Sequence, residues 1–428
     1  MTNLYDELAW RGMLYDATEG LKELLATERV TGYIGFDPTA SSLHVGSLLT
    51  VMGLARLQRF GHRPIAIVGG GTGMIGDPSG KSQERVLLSP DQIDANIGGV
   101  RRQLERFLNF DPDAANAAII VNNAEWLSTI DLLSFLRDAG KHFTVNYMLQ
   151  KESVSRRLES EEGISFTEFS YLVLQAYDFL QLFDRYACVL QLGGSDQWGN
   201  ITAGIDLIRK LRGKKAHGLV WPLMKTASGT KFGKTEEGTI WLDPARTPPF
   251  KFYQFWLNTD DRDVVSYLKY FTFLGRDEIE ALEEATRAAP EKREAQRRLA
   301  GVVTALVHGD DEEAKARLAS ERLFSANPFD LPVQDLLATL GDAPSTNVTL
   351  GELQEERPIT QWLVETGMVS SRSEATRLIR GGGIYLNDER VSDEKRRLTA
   401  GDLWNGVLAV LGKGPRQKHV LRLDRNSS

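Results

Sequence analysis

The chain contains 428 residues, 42% of them hydrophobic and 25% charged, and carries a net charge of −7. This length is too great for one compact core, so two or three domains are expected. Because Cys188 is the single cysteine, an internal disulfide and a cysteine-based zinc site are excluded. The apolar runs are shorter than about eighteen residues and the N-terminus carries early acids, so neither a membrane span nor a signal peptide is expected, which favours the cytoplasm.

The charge is unevenly distributed along the chain. From Arg357 to the end there are thirteen basic and eight acidic residues, a net charge of +5, so the preceding residues carry −12. A basic segment at the end of an acidic body suggests an anionic partner for that segment. A merely solvated surface explains the same charge equally well.

From about residue 30 to residue 220, short apolar runs alternate with segments whose apolar residues recur at helical spacing. The runs predict strands: YIGF, RPIAIVGG, AAIIVNN and YACVLQLGG. Strands that alternate with helices imply parallel pairing. We therefore predict an α/β fold, with a Rossmann-like parallel-sheet domain over residues 1–244 that binds ligands at the carboxyl ends of its strands.

The segment YIGFDPTASSLHVGSLLT places a histidine at the start of a helix. Ser41 or Ser42 is predicted to cap that helix, with His44 in its first turn. Free amides and the helix dipole at such an end favour phosphate, and the imidazole can donate a hydrogen bond to a phosphate oxygen. Gly46 leaves room for a close approach. Alternatively, this is a capped surface helix whose histidine is incidental.

Two glycine-rich runs resemble nucleotide-binding motifs without matching them. Residues 71–76 fit G-x-G-x-x-G, but turn residues follow at 77–80, where that motif requires a helix. Residues 76–82 resemble a P-loop with three residues between the glycines instead of four. A dinucleotide site is therefore disfavoured, and the loop beside Asp77 and Lys81 remains a candidate ligand wall.

The segment SFTEFSYLVLQAYDFLQLF predicts a helix that begins with a capping box formed by Ser165 and Glu168. Tyr171, Gln175 and Asp178 share one face of this otherwise apolar helix. A hydroxyl, an amide and a carboxylate in one stripe indicate a surface that recognises a small polar ligand, or a structural hydrogen-bond network. The run LQLGGSDQWGN then predicts a strand-to-helix turn of the kind that lines nucleotide pockets.

A loop rich in glycine, serine and threonine is predicted at residues 225–239, KTASGTKFGKTEEGT. Its two lysines, Lys231 and Lys234, could stabilise the charge that develops on a triphosphate, and flexibility would allow closure over bound substrate. A solvated basic loop is the alternative. The rest of the chain is predicted to form a helical domain at 245–324, a linker with small helices at 325–356 and a basic α+β module at 357–428.

Together these motifs resemble the class I aminoacyl-tRNA synthetases, and within them the tyrosine-specific group of bacteria. YIGFDPTASSLHVGS is similar to the first signature of the family, and KFGKT at 231–235 is similar to the second. GISFTEFSYLVLQAYDFL and LQLGGSDQWGNITAGIDLIRK are similar to family segments over long stretches. The resemblance covers nearly the whole chain.

The resemblance implies roles for individual positions. Tyr33 and Asp178 would bind the phenol hydroxyl of tyrosine. The rest of the amino acid would contact Asp77, Tyr171, Gln175 and Gln197. The adenosine site would contain Gly35, Asp37, Gly193 and Asp196. The phosphates of ATP would meet a catalytic set that comprises Thr39, His44, Ser47, Lys231, Lys234, Lys81 and Arg85.

The implied reaction has two steps. The tyrosine carboxylate attacks the α-phosphate of ATP and releases pyrophosphate, and the terminal ribose hydroxyl of tRNA(Tyr) then attacks the acyl carbon of the adenylate. This chemistry needs no covalent nucleophile, only positioning and charge stabilisation. Mg²⁺ would accompany ATP, and no metal held by the protein is expected.

The resemblance also implies macromolecular contacts. The C-terminal module is similar to the S-four RNA-binding fold, and the helical domain would touch the anticodon arm. A connective insertion at about 120–165 would form a homodimer interface. The basic candidates for tRNA contact are Arg156, Arg157, Arg209 and Lys210 at the acceptor arm, and Arg372, Arg377 and Arg380 in the C-terminal module.

One position departs from the family pattern. The first signature usually ends in histidine, and Ser47 stands there instead. Three rivals stay open: the tryptophan-specific enzyme, a non-catalytic RNA-binding relative and, more remotely, a nicotinamide oxidoreductase. Tyr33 with Asp178 and the C-terminal module argue against the first, and the intact signature lysines argue against the second.

Overall fold

The computed structural model describes residues 3–77, 88–159, 163–224, 226–227, 229, 232–235, 238–324, 344–355, 357–414 and 417–424. The chain divides into two compact units. The first comprises Met1–Pro248 and Phe255–Gly309, and the second comprises Pro249–Gln254 and Asp310–Ser428. This division differs from the predicted boundaries, because the helices of 261–308 are grouped with the parallel sheet and the next helix is not.

The strands up to residue 239 are β1 (Asp16–Ala17), β2 (Thr31–Phe36), β3 (Arg63–Val68), β4 (Ile119–Asn122), β5 (Cys188–Gly194), β6 (His217–Trp221), β7 (Lys234–Thr235) and β8 (Gly238–Thr239). The helices up to residue 308 are α1 (Leu4–Trp10), α2 (Leu21–Thr27), α3 (Val45–Arg59), α4 (Pro90–Leu104), α5 (Ala124–Leu127), α6 (Leu132–Asp138), α7 (Val145–Leu149), α8 (Glu152–Leu158), α9 (Phe166–Tyr186), α10 (Trp198–Arg212), α11 (Pro249–Leu257), α12 (Asp261–Phe271), α13 (Arg276–Ala288) and α14 (Glu294–His308).

The described residues form a six-stranded main sheet in the order β1-β6-β5-β2-β3-β4. All neighbours are parallel except β1, which runs antiparallel to β6. The strand order reverses between β2 and β5: β3 and β4 lie beyond β2, whereas β6 lies beyond β5. In such sheets the crevice at the carboxyl ends of the two central strands is the usual ligand site. The predicted parallel α/β fold is confirmed.

The central strands are buried because helices pack on them. Along β3 the residues Pro64 to Val68 are all buried, which explains why that run is apolar without alternation. Helix α3 packs against β3, and α9 and α10 pack against β5. Within the described ranges no helix combines the length and the apolar character needed to cross a bilayer.

Helix α9 begins as predicted with Ser165, whose side chain accepts a hydrogen bond from the amide of Glu168. The prediction of a full capping box is wrong, because the Glu168 side chain does not accept a hydrogen bond from the amide of Ser165. The Glu168 carboxylate is buried and accepts instead from the Arg157 guanidinium at 2.9 Å. A buried carboxylate requires such a partner, and an ion pair with α8 meets that requirement better than an exposed cap.

The second unit contains a separate sheet. Its elements are α15 (Asp310–Phe324), β9 (Ser345–Val348), α16 (Leu350–Gln354), α17 (Ile359–Glu365), α18 (Arg372–Arg380), β10 (Ile384–Leu386), β11 (Glu389–Arg390), β12 (Leu408–Lys413) and β13 (Gln417–Leu423). In the part of the chain that the structure describes, the sheet order is β11-β10-β12-β13-β9. Strand β9, which pairs in parallel with β13, lies in the segment predicted as linker. The predicted α+β architecture of this module is confirmed.

Candidate active site

A cavity of about 680 Å³ opens where the strand order reverses, at the carboxyl ends of β2 and β5. This volume is in the range of small-molecule sites. Thirteen of the predicted site residues line it within the described ranges: Tyr33, Gly35, Asp37, Thr39, His44, Ser47, Asp77, Tyr171, Gln175, Asp178, Gly193, Asp196 and Gln197. Their sequence separation reaches 164 positions, so the fold, not proximity in the chain, brings them together.

The cavity has a buried polar pair at Tyr33 and Asp178. The Tyr33 ring meets Phe179 edge-on at 5.2 Å, and its hydroxyl, although buried, has no hydrogen-bond partner among the described residues. The Asp178 carboxylate accepts from Asn123 Nδ2 at 2.9 Å and from Trp126 Nε1 at 2.7 Å. A buried hydroxyl without a partner costs about 1–3 kcal/mol, so this pair is suited to a polar group of a ligand.

Burial determines the ionisation of this pair. It raises the pKa of Asp178 to about 7, although the hydrogen bonds from Asn123 and Trp126 favour the carboxylate. Burial also raises the pKa of Tyr33, and the negative charge of Asp178 adds to that effect. The site therefore offers a neutral phenol beside a carboxyl group that titrates near neutral pH.

A second polar group lies between α9 and the start of α10. Gln197 Nε2 donates to Asp77 Oδ2 at 2.9 Å, and Gln175 Nε2 donates to Gln197 Oε1 at 3.3 Å. Asn200 Nδ2 donates to Gln175 Oε1 at 3.0 Å. This network holds the buried Asp77 carboxylate and two side-chain amides on one wall of the cavity, an arrangement that suits an ammonium group.

The start of α3 differs from its prediction. His44 itself is the N-cap residue and makes no capping side-chain bond, so the prediction that Ser41 or Ser42 caps this helix is wrong. Ser42 is buried; its hydroxyl donates to the carbonyl of Leu43 and accepts from Gln103 Nε2 at 2.8 Å. The Ser42 hydroxyl, which local sequence predicts to cap the helix, is therefore engaged in other hydrogen bonds, one of them to a residue distant in the chain.

Two of the first amides of α3 are already bonded. Val45 N donates to Ile240 O at 3.0 Å, and Ser47 N donates to His44 O at 2.8 Å. The His44 ring lies close to Gly46, where an added Cβ would be 2.7 Å from its Cε1. A phosphate at this helix end would therefore find fewer free amides than the prediction assumes.

The glycine run after β3 forms a short 3-10 turn, Thr72–Met74, and no α-helix begins among the described residues from there to Asp77. The predicted turn at 77–80 extends past Asp77 into residues that lie outside the described ranges. Gly71 N donates to Asn123 Oδ1 at 2.8 Å, and Asn123 Nδ2 also reaches Thr72 Oγ1 at 2.9 Å. Asn123 thus joins the glycine turn to Asp178.

Sequence reasoning missed Asn123, Trp126 and Asn200. Asn123 follows directly after β4, and the rule that ligands bind at the carboxyl ends of parallel strands could have identified it. Trp126 carries no comparable signal, because nothing in its local sequence links it to Asp178, fifty-two positions away.

The predicted cations are described only in part. Lys81, Arg85 and Lys231 lie outside the described residues, and Lys234 is described only by its backbone in β7. Within the described ranges no cluster of side chains suited to bind a metal ion is found.

The predicted tRNA-contacting residues divide by exposure. Arg156, Arg209 and Lys210 are exposed, as are Arg372, Arg377 and Arg380 on α18. Arg157 is buried and donates to Glu168 and to the carbonyl of Gly163, so the prediction that it contacts tRNA is wrong. A guanidinium committed to a buried carboxylate is unavailable to a phosphate.

The parallel sheet, its cavity and the two signature segments define the class of this protein. The sequence profile of the class I tRNA synthetases (W and Y) matches residues 25–325, and that of the S4 domain matches residues 357–403. The chain belongs to the class I tRNA synthetase family for tryptophan and tyrosine.

Three similar proteins of this family are named as tyrosine enzymes. The chain is 55% identical to a tyrosine–tRNA ligase of Roseiflexus castenholzii, over 99% of this chain and 100% of that protein. It is 51% identical to the tyrosine–tRNA ligase of Geobacillus stearothermophilus, over 98% and 99% of the two chains. A C-terminally truncated mitochondrial tyrosyl-tRNA synthetase of Aspergillus nidulans superposes with a TM-score of 0.67 at 31% identity, over 76% of this chain and 95% of that chain.

Proposed function

We propose that this chain is a tyrosine–tRNA ligase. It activates L-tyrosine with ATP to tyrosyl-adenylate and pyrophosphate, and then transfers tyrosine from the adenylate to the terminal ribose of tRNA(Tyr), releasing AMP. The observation that carries the proposal is the buried pair of Tyr33 and Asp178 in the cavity of a class I synthetase fold. The similarity to tyrosine–tRNA ligases over nearly the full length supports the same conclusion.

The pair selects the phenol of the substrate. The hydroxyl of bound tyrosine donates to Asp178 and accepts from the Tyr33 hydroxyl, which otherwise has no partner among the described residues. Phenylalanine would leave the buried Tyr33 hydroxyl without a partner, at a cost of about 1–3 kcal/mol, and would give Asp178 no donor beyond Asn123 and Trp126. Asp77, Tyr171 and Gln175 hold the ammonium group, and Gln197 lies near the carboxylate.

Catalysis rests on position and charge. Gly35, Asp37, Gly193 and Asp196, which line the cavity, are proposed to bind the adenosine of ATP. His44 faces the phosphates, with Thr39 and Ser47 beside it. Lys231, Lys234, Lys81 and Arg85 are proposed as the cations that stabilise charge as pyrophosphate leaves. Mg²⁺ accompanies ATP on its phosphates, as is usual for this ion in phosphate chemistry.

Tyrosine-dependent exchange of labelled pyrophosphate into ATP tests the proposal, with phenylalanine and tryptophan as matched substrates. Exchange with tyrosine alone is expected. Exchange with tryptophan instead would support the tryptophan-specific rival. Folded protein that exchanges with none of the three would support a non-catalytic RNA-binding relative.

The activity is expected to depend on pH through Asp178. Its raised pKa of about 7 means that the carboxyl binds a proton below neutrality, when it can no longer accept from the phenol as an anion. The value of kcat/KM for tyrosine should fall by about tenfold per pH unit below pH 7 and level off above it. Measurement of kcat/KM from pH 5 to pH 9 checks this, and Asp178→Asn should lack the inflection.

The same shift affects stability in the opposite direction. Because the folded-state pKa is raised, the protonated carboxyl contributes stability that is fully present below about pH 4 and is lost as the pH rises through about 7. In the absence of tyrosine, the contribution of Asp178 to the free energy of unfolding should therefore be smaller at pH 8 than at pH 5. Thermal unfolding of the wild type and of Asp178→Asn at the two pH values measures this difference.

Ser47 lines the cavity where the family signature usually has histidine. Serine can donate one hydrogen bond, but its reach is shorter and it carries no charge. Ser47→His is expected to raise the single-turnover rate of adenylate formation, because it adds an imidazole beside His44. A rate that is unchanged or lower, with normal tyrosine binding, would contradict a phosphate contact at this position.

We also propose a homodimer formed through the insertion at about 120–165. Large apolar side chains are exposed in and directly after that segment, including Leu133 at 77% and Phe166 at 79%. Such a patch on a surface commonly marks an interface. Sedimentation velocity at micromolar concentration is expected to give a dimer, and a single monomeric species would contradict it.

The C-terminal module is proposed to bind tRNA through α18. Arg372, Arg377 and Arg380 are exposed there, although Arg380 pairs with Glu394 at 2.9 Å. Arg156, Arg209 and Lys210 remain proposed contacts for the acceptor arm. Contacts to phosphate of this kind weaken with salt, so the affinity for tRNA(Tyr) should decrease as ionic strength rises.

A further inference from the structure

Phe232, between the two signature lysines in the sequence, is a buried residue in a segment predicted as a loop. It is 5% exposed, and its ring stacks on Phe271 at 5.3 Å with an interplanar angle of 13°. It also meets Tyr267 at 5.0 Å, Phe255 at 5.8 Å and Trp256 at 5.9 Å. Aromatic contacts of this geometry each contribute about 0.5–1.5 kcal/mol beyond area burial, so the ring is held firmly by α11 and α12.

Helix α12 is in turn fixed to α3. The buried Arg56 of α3 donates to the carbonyls of Lys269 and Thr272 at 2.9 Å and 2.7 Å. Arg11 donates to the same Lys269 carbonyl at 2.9 Å and to that of Leu274 at 2.8 Å. Charged donors at the free carbonyls of a helix end are strong contacts. The aromatic cluster therefore has a defined position relative to the helix that begins at His44.

The backbone next to Phe232 returns to the start of that helix. Gly233 O accepts from Ile240 N at 3.2 Å, and Ile240 O accepts from Val45 N at 3.0 Å. Gly233 has φ of +81°, and an added Cβ would lie 2.8 Å from Val45 Cγ2. The segment passes so close to Val45 that glycine is required there. Helix α3 therefore contacts α12, α12 contacts Phe232, and the backbone next to Phe232 contacts the start of α3.

We propose that Phe232 is a positioning residue for amino-acid activation. Its ring fixes the backbone of Gly233 beside Val45 and Gly46, at the start of the helix that His44 caps. The first and second signature segments are thereby held in one relative position. This inference rests on the proposed function, because the geometry matters only if a phosphate reacts there. Small displacements of catalytic groups cost large factors in rate, up to about 10²-fold for 1 Å.

A simple role in packing would have a different signature. Loss of packing alone lowers the melting temperature and leaves kcat of the folded protein unchanged. Loss of positioning lowers kcat and leaves the tyrosine KM unchanged, because the tyrosine contacts at Tyr33 and Asp178 lie elsewhere in the cavity. The two roles are therefore separable in one set of variants.

The test compares Phe232→Ala and Phe232→Leu with Phe255→Leu, which removes a neighbouring ring of the same cluster from outside the signature. For each full-length protein we would measure kcat and tyrosine KM in pyrophosphate exchange, the melting temperature, and the rate of tryptic cleavage within residues 225–239. Phe232→Ala is expected to lower kcat about tenfold and to speed cleavage at least as much. Phe232→Leu should recover part of both, and Phe255→Leu should change each by less than about threefold.

The outcomes are distinct. A kcat for Phe232→Ala equal to that of Phe255→Leu would overturn the positioning role, as would unchanged cleavage. If Phe232→Ala fails to fold, Phe232→Leu still decides, since its kcat must fall below that of the control. Wild-type protein without any exchange would sink the proposed function and the catalytic part of this inference, whereas faster cleavage in Phe232→Ala would still support the anchor itself.

Discussion

Asp178→Asn is expected to lower kcat/KM for tyrosine in pyrophosphate exchange by about 10³-fold, the largest effect predicted for this protein. Asparagine has the shape of aspartate, but one of its two side-chain polar groups is an N–H donor. Both partners of Asp178, Asn123 Nδ2 and Trp126 Nε1, are also donors, so the amide of asparagine would face one of them donor to donor. One of those buried bonds is lost, and the phenol loses an anionic acceptor. Two such losses at about 2 kcal/mol each account for the factor.

Asp184→Asn is the matched control, because Asp184 lies on the same helix and pairs with Arg212 at the surface. Its kcat/KM should stay within about twofold of wild type, since exposed ion pairs contribute little. Melting temperatures distinguish loss of fold from loss of recognition. A kcat/KM for Asp178→Asn within tenfold of wild type would show that the phenol is recognised elsewhere.

Gly46→Ala is expected to lower kcat for tyrosine activation by about 10²-fold without lowering stability. The added Cβ would lie 2.7 Å from His44 Cε1 and 2.8 Å from His44 Nδ1, so the imidazole must leave its position at the start of α3. Alanine is a better helix former than glycine by about 1 kcal/mol, so the melting temperature should stay the same or rise. Activity and stability therefore change in opposite directions.

Gly98→Ala provides the comparison. Gly98 lies inside α4, and an added Cβ would come no nearer than 3.7 Å, to Arg102 Nη1. It should gain the same helix propensity and keep wild-type kcat. If Gly46→Ala also keeps kcat within about threefold of wild type, the position of His44 is not important for catalysis.

The strands of the parallel sheet are predictable because a strand that is buried on both faces has a continuous run of apolar residues. Four of them are predicted from short apolar runs, and Asp37 after β2 and Asp196 after β5 are assigned to the cavity, whereas Asn123 after β4 is not. Strand β6, with the run HGLVW, was not named, although it has the same apolar character. Strand β1 has two residues and no detectable pattern.

Predictions that depended on side-chain partners were less successful. Ser42 and Arg157 were judged by the usual behaviour of their residue types, as a helix cap and a surface cation. Each instead bonds to groups distant in the chain or on another element, such as Gln103 for Ser42. Phe232 is a similar case, since a loop composition gives no sign of an aromatic cluster assembled from α11 and α12. Such contacts exist only once the elements are packed.

Strand β9 has a consequence for how the C-terminal module can be isolated. The matched S4 region begins at Arg357, but the hydrogen-bonded edge of β13 is covered by Ser345–Val348. A fragment that starts at residue 357 would leave Val420 to Leu423 with an uncovered row of backbone donors and acceptors, a template for association with other strands. A fragment that starts at Pro344 keeps that edge covered, so solubility of the excised module should depend on thirteen residues outside its recognised motif.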